Sequence, residues 1–156
     1  RARSVSRKLL MQAIYQWQLT GHSFAELRNQ YTMEEGFGAA DDEYFRELLK
    51  GITETVNELD ATLAELADRP LDQLDPVEHA VLLIGVYELK QRADVPYREE
   101  NNDAVDLAKS FGATDAHKYV NALLDRAAQN LRAAELAAMA GNLSRSTSRS
   151  RAAGGL

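Results

Sequence analysis

The chain has 156 residues, 45% of them hydrophobic and 27% charged, with no cysteine and a formal net charge of −6. That length supports one domain with a real core and is short for two, and the missing cysteines exclude disulfides, thiolate metal sites and cysteine nucleophiles. The charge is uneven, +4 over residues 1–25, +4 over residues 126–156 and −14 between them, which excludes a broad nucleic-acid surface and permits a local one.

The first element is predicted over 4–19. Leu9 or Leu10, Ala13, Ile14 and Trp17 recur at three-to-four-residue spacing, and Thr20-Gly21 ends the run. Arg3, Arg7 and Lys8 make its first turn basic. Positive charge at a helix N-terminus opposes the macrodipole, so these cations are not explained by helix stability; a ligand would explain them. Tyr15 lies two turns after Arg7 and Lys8, where a ring and cations can share one side. Ser23-Phe24-Ala25-Glu26 has capping-box spacing and opens a short second helix, with Leu27 and Tyr31 in its apolar stripe. A loop through Gly36 and Gly38 then delivers Asp41-Asp42 as the cap of a third helix. There Tyr44, Phe45, Leu48, Leu49, Ile52, Val56 and Leu59 form a wide stripe interrupted only by Gly51, which marks close helix approach or simple tolerance. This helix is expected at the centre of the core.

Leu63 and Leu66 carry the helical pattern to a break at Arg69-Pro70. In Asp75-Pro76-Val77-Glu78, an aspartate cap, a proline at the first helical position and a glutamate at the third satisfy three start rules together. The helix that follows runs through Leu89, stops near Arg92 and is apolar enough to be mostly buried. After Val95-Pro96 the spacing is helical from Val105 to Phe111. Glu99, Glu100 and Asn101 leave the first turns of that helix without an apolar partner, which predicts an exposed or poorly packed segment. Gly112 is expected in the left-handed conformation that closes this helix, with Thr114 or Asp115 capping the next. Val120, Leu123, Leu124 and Ala127 then face a core, leaving Lys118 and Asn121 to point elsewhere. Lys118 and Tyr119 place a cation for phosphate beside a ring for stacking. The last helix is expected to persist through Leu136 and Met139 to Gly141-Asn142, so the domain spans 1–142 and is followed by a disordered Arg/Ser-rich tail over 143–156. No segment alternates with period two. The fold class is therefore all-α, about seven helices in two small packed bundles joined at the loop over 36–42 or at the break near Pro70.

His22, His79 and His117 have no partner at ligand spacing, so no metal site is expected. There is no phosphate-cradling glycine loop, dinucleotide fingerprint or nucleophile elbow. Acidic pairs such as Glu34-Glu35, Asp41-Asp42 and Glu99-Glu100 are adjacent and do not converge on one substrate atom. Neither catalytic residues nor a cofactor are expected. No apolar run is long enough to span a bilayer, and the first residues lack the apolar core of a signal peptide, which predicts a soluble cytoplasmic protein.

The residues 12–19 (Gln-Ala-Ile-Tyr-Gln-Trp-Gln-Leu), the block 44–51, Leu74-Asp75-Pro76-Val77-Glu78, Val86-Tyr87-Glu88-Leu89, Val95-Pro96-Tyr97 and the block 107–125 occur in one order over about residues 3–130. In that combination the chain resembles the NusB family of bacterial transcription antitermination factors. The resemblance implies an all-helical, RNA-binding adaptor without enzymatic activity. It would pair with the ribosomal protein that acts as Nus factor E, bind boxA single-stranded RNA in nascent ribosomal transcripts and join the RNA polymerase antitermination complex. By matching blocks, the RNA-binding residues would be Arg3, Arg7, Tyr15, Lys118 and Tyr119, and the partner protein would dock near Glu78, where a negative face suits a basic ribosomal protein.

Plainer roles stand beside these. Tyr15 could be a core-edge ring, Lys118 a solvated helix residue and Glu78 only a cap. The chain departs from the family pattern at Glu99, Glu100 and Asn101, where apolar residues are usual. Burying such groups without partners would cost roughly 1–3 kcal/mol each, so either the turn is displaced or the fold is marginal. Val5 and Ser6 fall where the family more often has further cations or small residues, and Ala122 replaces a frequent glycine, which could push two helices apart. Two further readings are a helical interaction scaffold, for instance a homodimer with the RNA face buried, and the accessory domain of an RNA methyltransferase. The chain carries no methyl-donor-binding region, and monomer or homodimer is left open.

Overall fold

Three of the helix starts are set by side chains that accept a backbone N–H. Ser23 Oγ accepts from Glu26 at 3.2 Å, Asp41 Oδ1 from Tyr44 at 3.1 Å and Asp75 Oδ1 from Glu78 at 2.8 Å. Each satisfies one of the donors a helix N-terminus leaves unpaired. The computed structural model describes residues 1–34, 36–133 and 137. Among these the helices are α1 (Ala2–Thr20), α2 (Phe24–Thr32), α3 (Asp42–Leu66), α4 (Pro76–Gln91), α5 (Tyr97–Phe111) and α6 (Ala116–Leu131), with 3-10 turns at Phe37–Ala39 and Leu71–Gln73 and no strand. The helix count is therefore six within the described residues. The expected extension to Gly141 and the tail over 143–156 lie outside them.

Helix α4 occupies the centre that the stripe of α3 suggested for α3. It packs against α1 and α3 and against α5 and α6, so the two groups of helices share one continuous core. Only Lys90 and Gln91 of α4 are exposed. A helix with no polar face has to be enclosed, whereas α3 keeps a polar one. Close approach is paid for with glycine. A Cβ on Gly51 would lie 2.2 Å from the Tyr87 hydroxyl of α4, and one on Gly85 would lie 2.7 Å from both Glu100 Oε1 of α5 and Leu124 Cδ2 of α6. The kink in α3 falls at Thr55 (φ −120°, ψ 20°), not at Gly51. Its hydroxyl donates to the Gly51 carbonyl at 2.6 Å, the back-bonding that bends helices.

The α5–α6 corner differs from expectation. Gly112 is extended (φ −86°, ψ 175°), and its lack of a Cβ matters because one would meet the Ala108 carbonyl oxygen at 2.7 Å. The left-handed residue is Asp115 (φ 65°), which precedes α6 without a side-chain capping bond. The chain reverses on an aspartate, a type that tolerates this region better than most.

The C-terminus of α4 is closed by a residue far along the chain. Arg132, buried just after α6, donates to the carbonyls of Glu88 (3.0 Å), Leu89 (3.0 Å), Arg92 (2.8 Å) and Val95 (3.0 Å). One guanidinium thereby supplies the donor for the carbonyls of Leu89 and Val95, adds a second bond to those of Glu88 and Arg92, which already accept from the Arg92 and Val95 N–H groups, and fixes the turn into α5.

Candidate nucleic-acid interface

Arg7 takes a different role from the one its sequence position suggested. It faces inward from α1, 2% exposed, and donates to Glu88 Oε1 of α4 at 2.8 Å, to Glu99 Oε2 of α5 at 2.8 Å and to Asp103 Oδ2 at 2.5 Å. In this arrangement it is a structural ion and does not reach a phosphate. The basic first turn is built against acids in α5, and the periodicity of α1 alone could not show where those acids lie. Arg3 makes a bidentate pair with Glu99, at 2.8 and 2.5 Å, and its side chain stays 35% exposed. The hydrogen bond from Arg3, with Arg7 adding to it, holds the Glu99 carboxyl down to about 2. Ser6 is buried, its hydroxyl 3.0 Å from the carbonyl oxygens of Ala2 and Asp41 and accepting from the Asp41 N–H at 2.8 Å. It ties α1 to the start of α3, a place where a long cation would not fit.

The turn expected to be exposed or poorly packed is packed at Glu99 and Glu100, but its polar atoms are only partly satisfied. Glu99 carries the ion pairs, Asn101 Nδ2 donates to Asn121 Oδ1 at 2.9 Å, and Glu100 is 2% exposed. Neither Glu100 oxygen has a hydrogen-bond partner among the described residues. Burial, reinforced by the charge of Glu88, pushes its carboxyl well above the ordinary range and favours the neutral acid. Ala122 is exposed, so its methyl does not separate helices.

Of the remaining predicted residues, Tyr15 and Lys118 line the first and third of three grooves that share wall residues. A first, of about 470 Å³, is largely apolar and is lined by Tyr15 and Leu19 of α1, Val77 of α4 and Phe111 of α5. Tyr15 is 38% exposed and Phe111 43%. The second, of about 290 Å³, shares Phe111 and adds Ser4, Lys8 and Asp106, with Lys8 Nζ 5.7 Å from the Phe111 ring centre. The third, of about 500 Å³, shares Asp106 and adds Lys109, His117, Lys118 and Asn121. Lys118 is well exposed and pairs with Asp115 at 3.4 Å. Tyr119 is half-buried and carries the Arg69 guanidinium 3.8 Å from its ring centre. The structure therefore sets Tyr15 and Lys118 on groove walls, pairs Arg3 with Glu99 and withdraws Arg7.

Phe111 and Lys109 line these grooves without having been candidates in the sequence, and Arg69, which covers the Tyr119 ring, lines none of them. In the sequence Phe111 and Lys109 mark the end of a helix and Arg69 part of a break. A helix-terminal aromatic beside a lysine was the one available signal.

Glu78 is 7% exposed at the third position of α4, and burial, with the charge of Asp75, raises its carboxyl. Its neighbour Val77 opens onto the same groove as Tyr15. Among the described residues no group of three or more His, Asp or Glu could hold a metal, and no helix is long and apolar enough to cross a membrane.

A model of the NusB family matches residues 4–129 of the chain. The transcription antitermination protein NusB of a Marinomonas species is 51% identical over 138 residues, covering 87% of this chain and 79% of the relative. The protein of the same name from Pseudomonas entomophila is 47% identical over 136 residues, covering 87% and 82%. Among solved structures, a crystal structure of antitermination factors NusB and NusE in complex with double-stranded RNA superposes with a TM-score of 0.74 at 26% identity, over 83% of this chain and 98% of that one.

Proposed function

The chain belongs to the NusB family, and from that premise we propose that it is an RNA-binding transcription antitermination factor, cytoplasmic and without catalytic activity. It pairs with the ribosomal protein acting as Nus factor E, binds boxA RNA in nascent ribosomal transcripts and enters the RNA polymerase antitermination complex. The observation that carries this reading is the continuity of the three grooves through the shared walls Phe111 and Asp106. A single strand laid along them would meet exposed rings at Tyr15 and Phe111 and cations at Lys8, Lys109 and Lys118. That combination suits sequence-tolerant stacking on rings with charge neutralisation along the backbone. Arg3 is paired with Glu99, and Arg7 holds α1 in place. The partner protein would dock near Glu78, beside the wall of this groove that Val77 forms, with the Glu78 carboxyl itself largely buried.

The test is fluorescence anisotropy with a short boxA RNA, at two salt concentrations, with and without the ribosomal protein. Affinity should fall with salt and tighten with the partner, since each neutralised phosphate of a single strand contributes about −0.7 to the log–log salt slope. Lys118→Ala and Tyr15→Ala should weaken binding. A folded protein that binds no RNA under any of these conditions would remove the proposal in favour of the interaction scaffold.

A further inference from the structure

Arg69 lies in the connection between α3 and α4, is exposed, and places its guanidinium 3.8 Å from the ring centre of Tyr119 on α6. At that distance the cation sits on the ring face, so one face of the guanidinium and one face of the ring are already used by each other. Tyr119 is also held from behind. Its hydroxyl is buried without a hydrogen-bond partner among the described residues, and its ring packs on the core. The ring is therefore a floor with a cation fixed on it, and the face that Arg69 covers is closed to a nucleotide base. What this unit offers is the edge of the guanidinium, a planar fork of N–H donors whose spacing matches two oxygens of one phosphate. Its nearby acid is Glu78, whose buried carboxyl Arg69 draws down against the raising effects of burial and Asp75.

We propose that Arg69 is an RNA-contacting residue of this protein, a bidentate phosphate clamp, and that Tyr119 is its positioning residue. This rests on the RNA-binding reading above and alters it at one point: Tyr119 acts through Arg69. Lys8 over the Phe111 ring is a looser pair of the same kind on the groove surface. The well-exposed Lys118, by contrast, has no ring beneath it to hold it in place.

The experiment titrates boxA RNA with wild type, Arg69→Ala, Arg69→Lys, Tyr119→Phe, Tyr119→Leu and the double variant Arg69→Ala/Tyr119→Leu, each at several salt concentrations. Circular dichroism checks that each remains folded. Arg69→Ala should lose roughly three- to tenfold in affinity at low salt and flatten the log–log salt slope by about 0.7, the value of one phosphate contact. Arg69→Lys should keep the slope and lose part of the affinity, because the charge stays and the fork does not. Tyr119→Phe should bind as wild type, and Tyr119→Leu should weaken binding only while Arg69 is present. If wild type binds and Arg69→Ala matches it in affinity and slope, the clamp is wrong and the RNA reading stands. If Tyr119→Leu weakens the Arg69→Ala background as much as wild type, the ring contacts RNA directly and the positioning role is wrong. If folded wild type binds no RNA, both readings fail together.

Discussion

Glu100 shows how far one side chain can depart from the expectation of its position. A carboxyl among Gly85, Glu88 and Leu124, with Arg7, Asp103 and Arg132 as the other charges acting on it, is buried with both oxygens unpartnered. Since its folded-state pKa is raised, the folded protein holds this proton more tightly than the unfolded chain, whose carboxylates titrate near about 4.3. The stability contributed is fully present below that pH and is lost as pH rises towards the folded-state value. Replacing Glu100 with Gln should therefore flatten the decline of stability as pH rises above the ordinary carboxylate range, by up to about 1.4 kcal/mol per pH unit. Glu88, also raised by burial although paired with Arg7, should leave a residual slope. Urea unfolding of both proteins at each pH is the check; parallel curves would mean that Glu100 is ionised at little cost in the folded state. Glu99, its neighbour in the same turn, has the opposite sign. Arg3 and Arg7 hold it at about 2, so its contribution is present above the ordinary carboxylate range and fades only in acid.

Elements were the scale at which local signals carried most of the information. Ser23, Asp41 and Asp75 start α2, α3 and α4 as their positions indicate, because a cap needs only residues three places along the same chain. Helix ends are different. The C-terminus of α4 depends on Arg132, more than forty residues away, and no local rule contains that residue. Arg132→Met should keep most of the packing volume and leave the carbonyls of Leu89 and Val95 without their donor, while those of Glu88 and Arg92 keep the backbone N–H groups of Arg92 and Val95, at a cost on the order of 3 kcal/mol. Hydrogen exchange should locate the loss in the last turn of α4 and the turn at 92–96. A loss below about 1 kcal/mol, or protection unchanged in that turn, would show that water serves those carbonyls equally well.

For the whole molecule, the arrangement turns on α1 being fastened to α4 and α5 by Arg7, under the ring of Tyr44 at 5.7 Å. Arg7→Met should cost about 3–5 kcal/mol in denaturant unfolding, since it leaves Glu88 buried without its cation, and pairing it with Glu88→Leu should recover much of the loss. A single variant of near wild-type stability would mean that the acids relax into water and that apolar packing alone seats α1. The sequence by itself determined the all-helical class, the start of each capped helix, the burial of α4 and the family, because these depend on periodicity, caps and motif order along the chain. The family resemblance named Tyr15 and Lys118 as RNA contacts, and the fold places both on groove walls. Only the tertiary structure decided that α4 rather than α3 is central, that Arg7 faces inward, that Glu99 is paired and Glu100 buried rather than exposed and that Tyr119 lies under Arg69. Each of these rests on a contact between residues tens of positions apart, and the energy of a buried charge is set by which neighbours the fold brings to it.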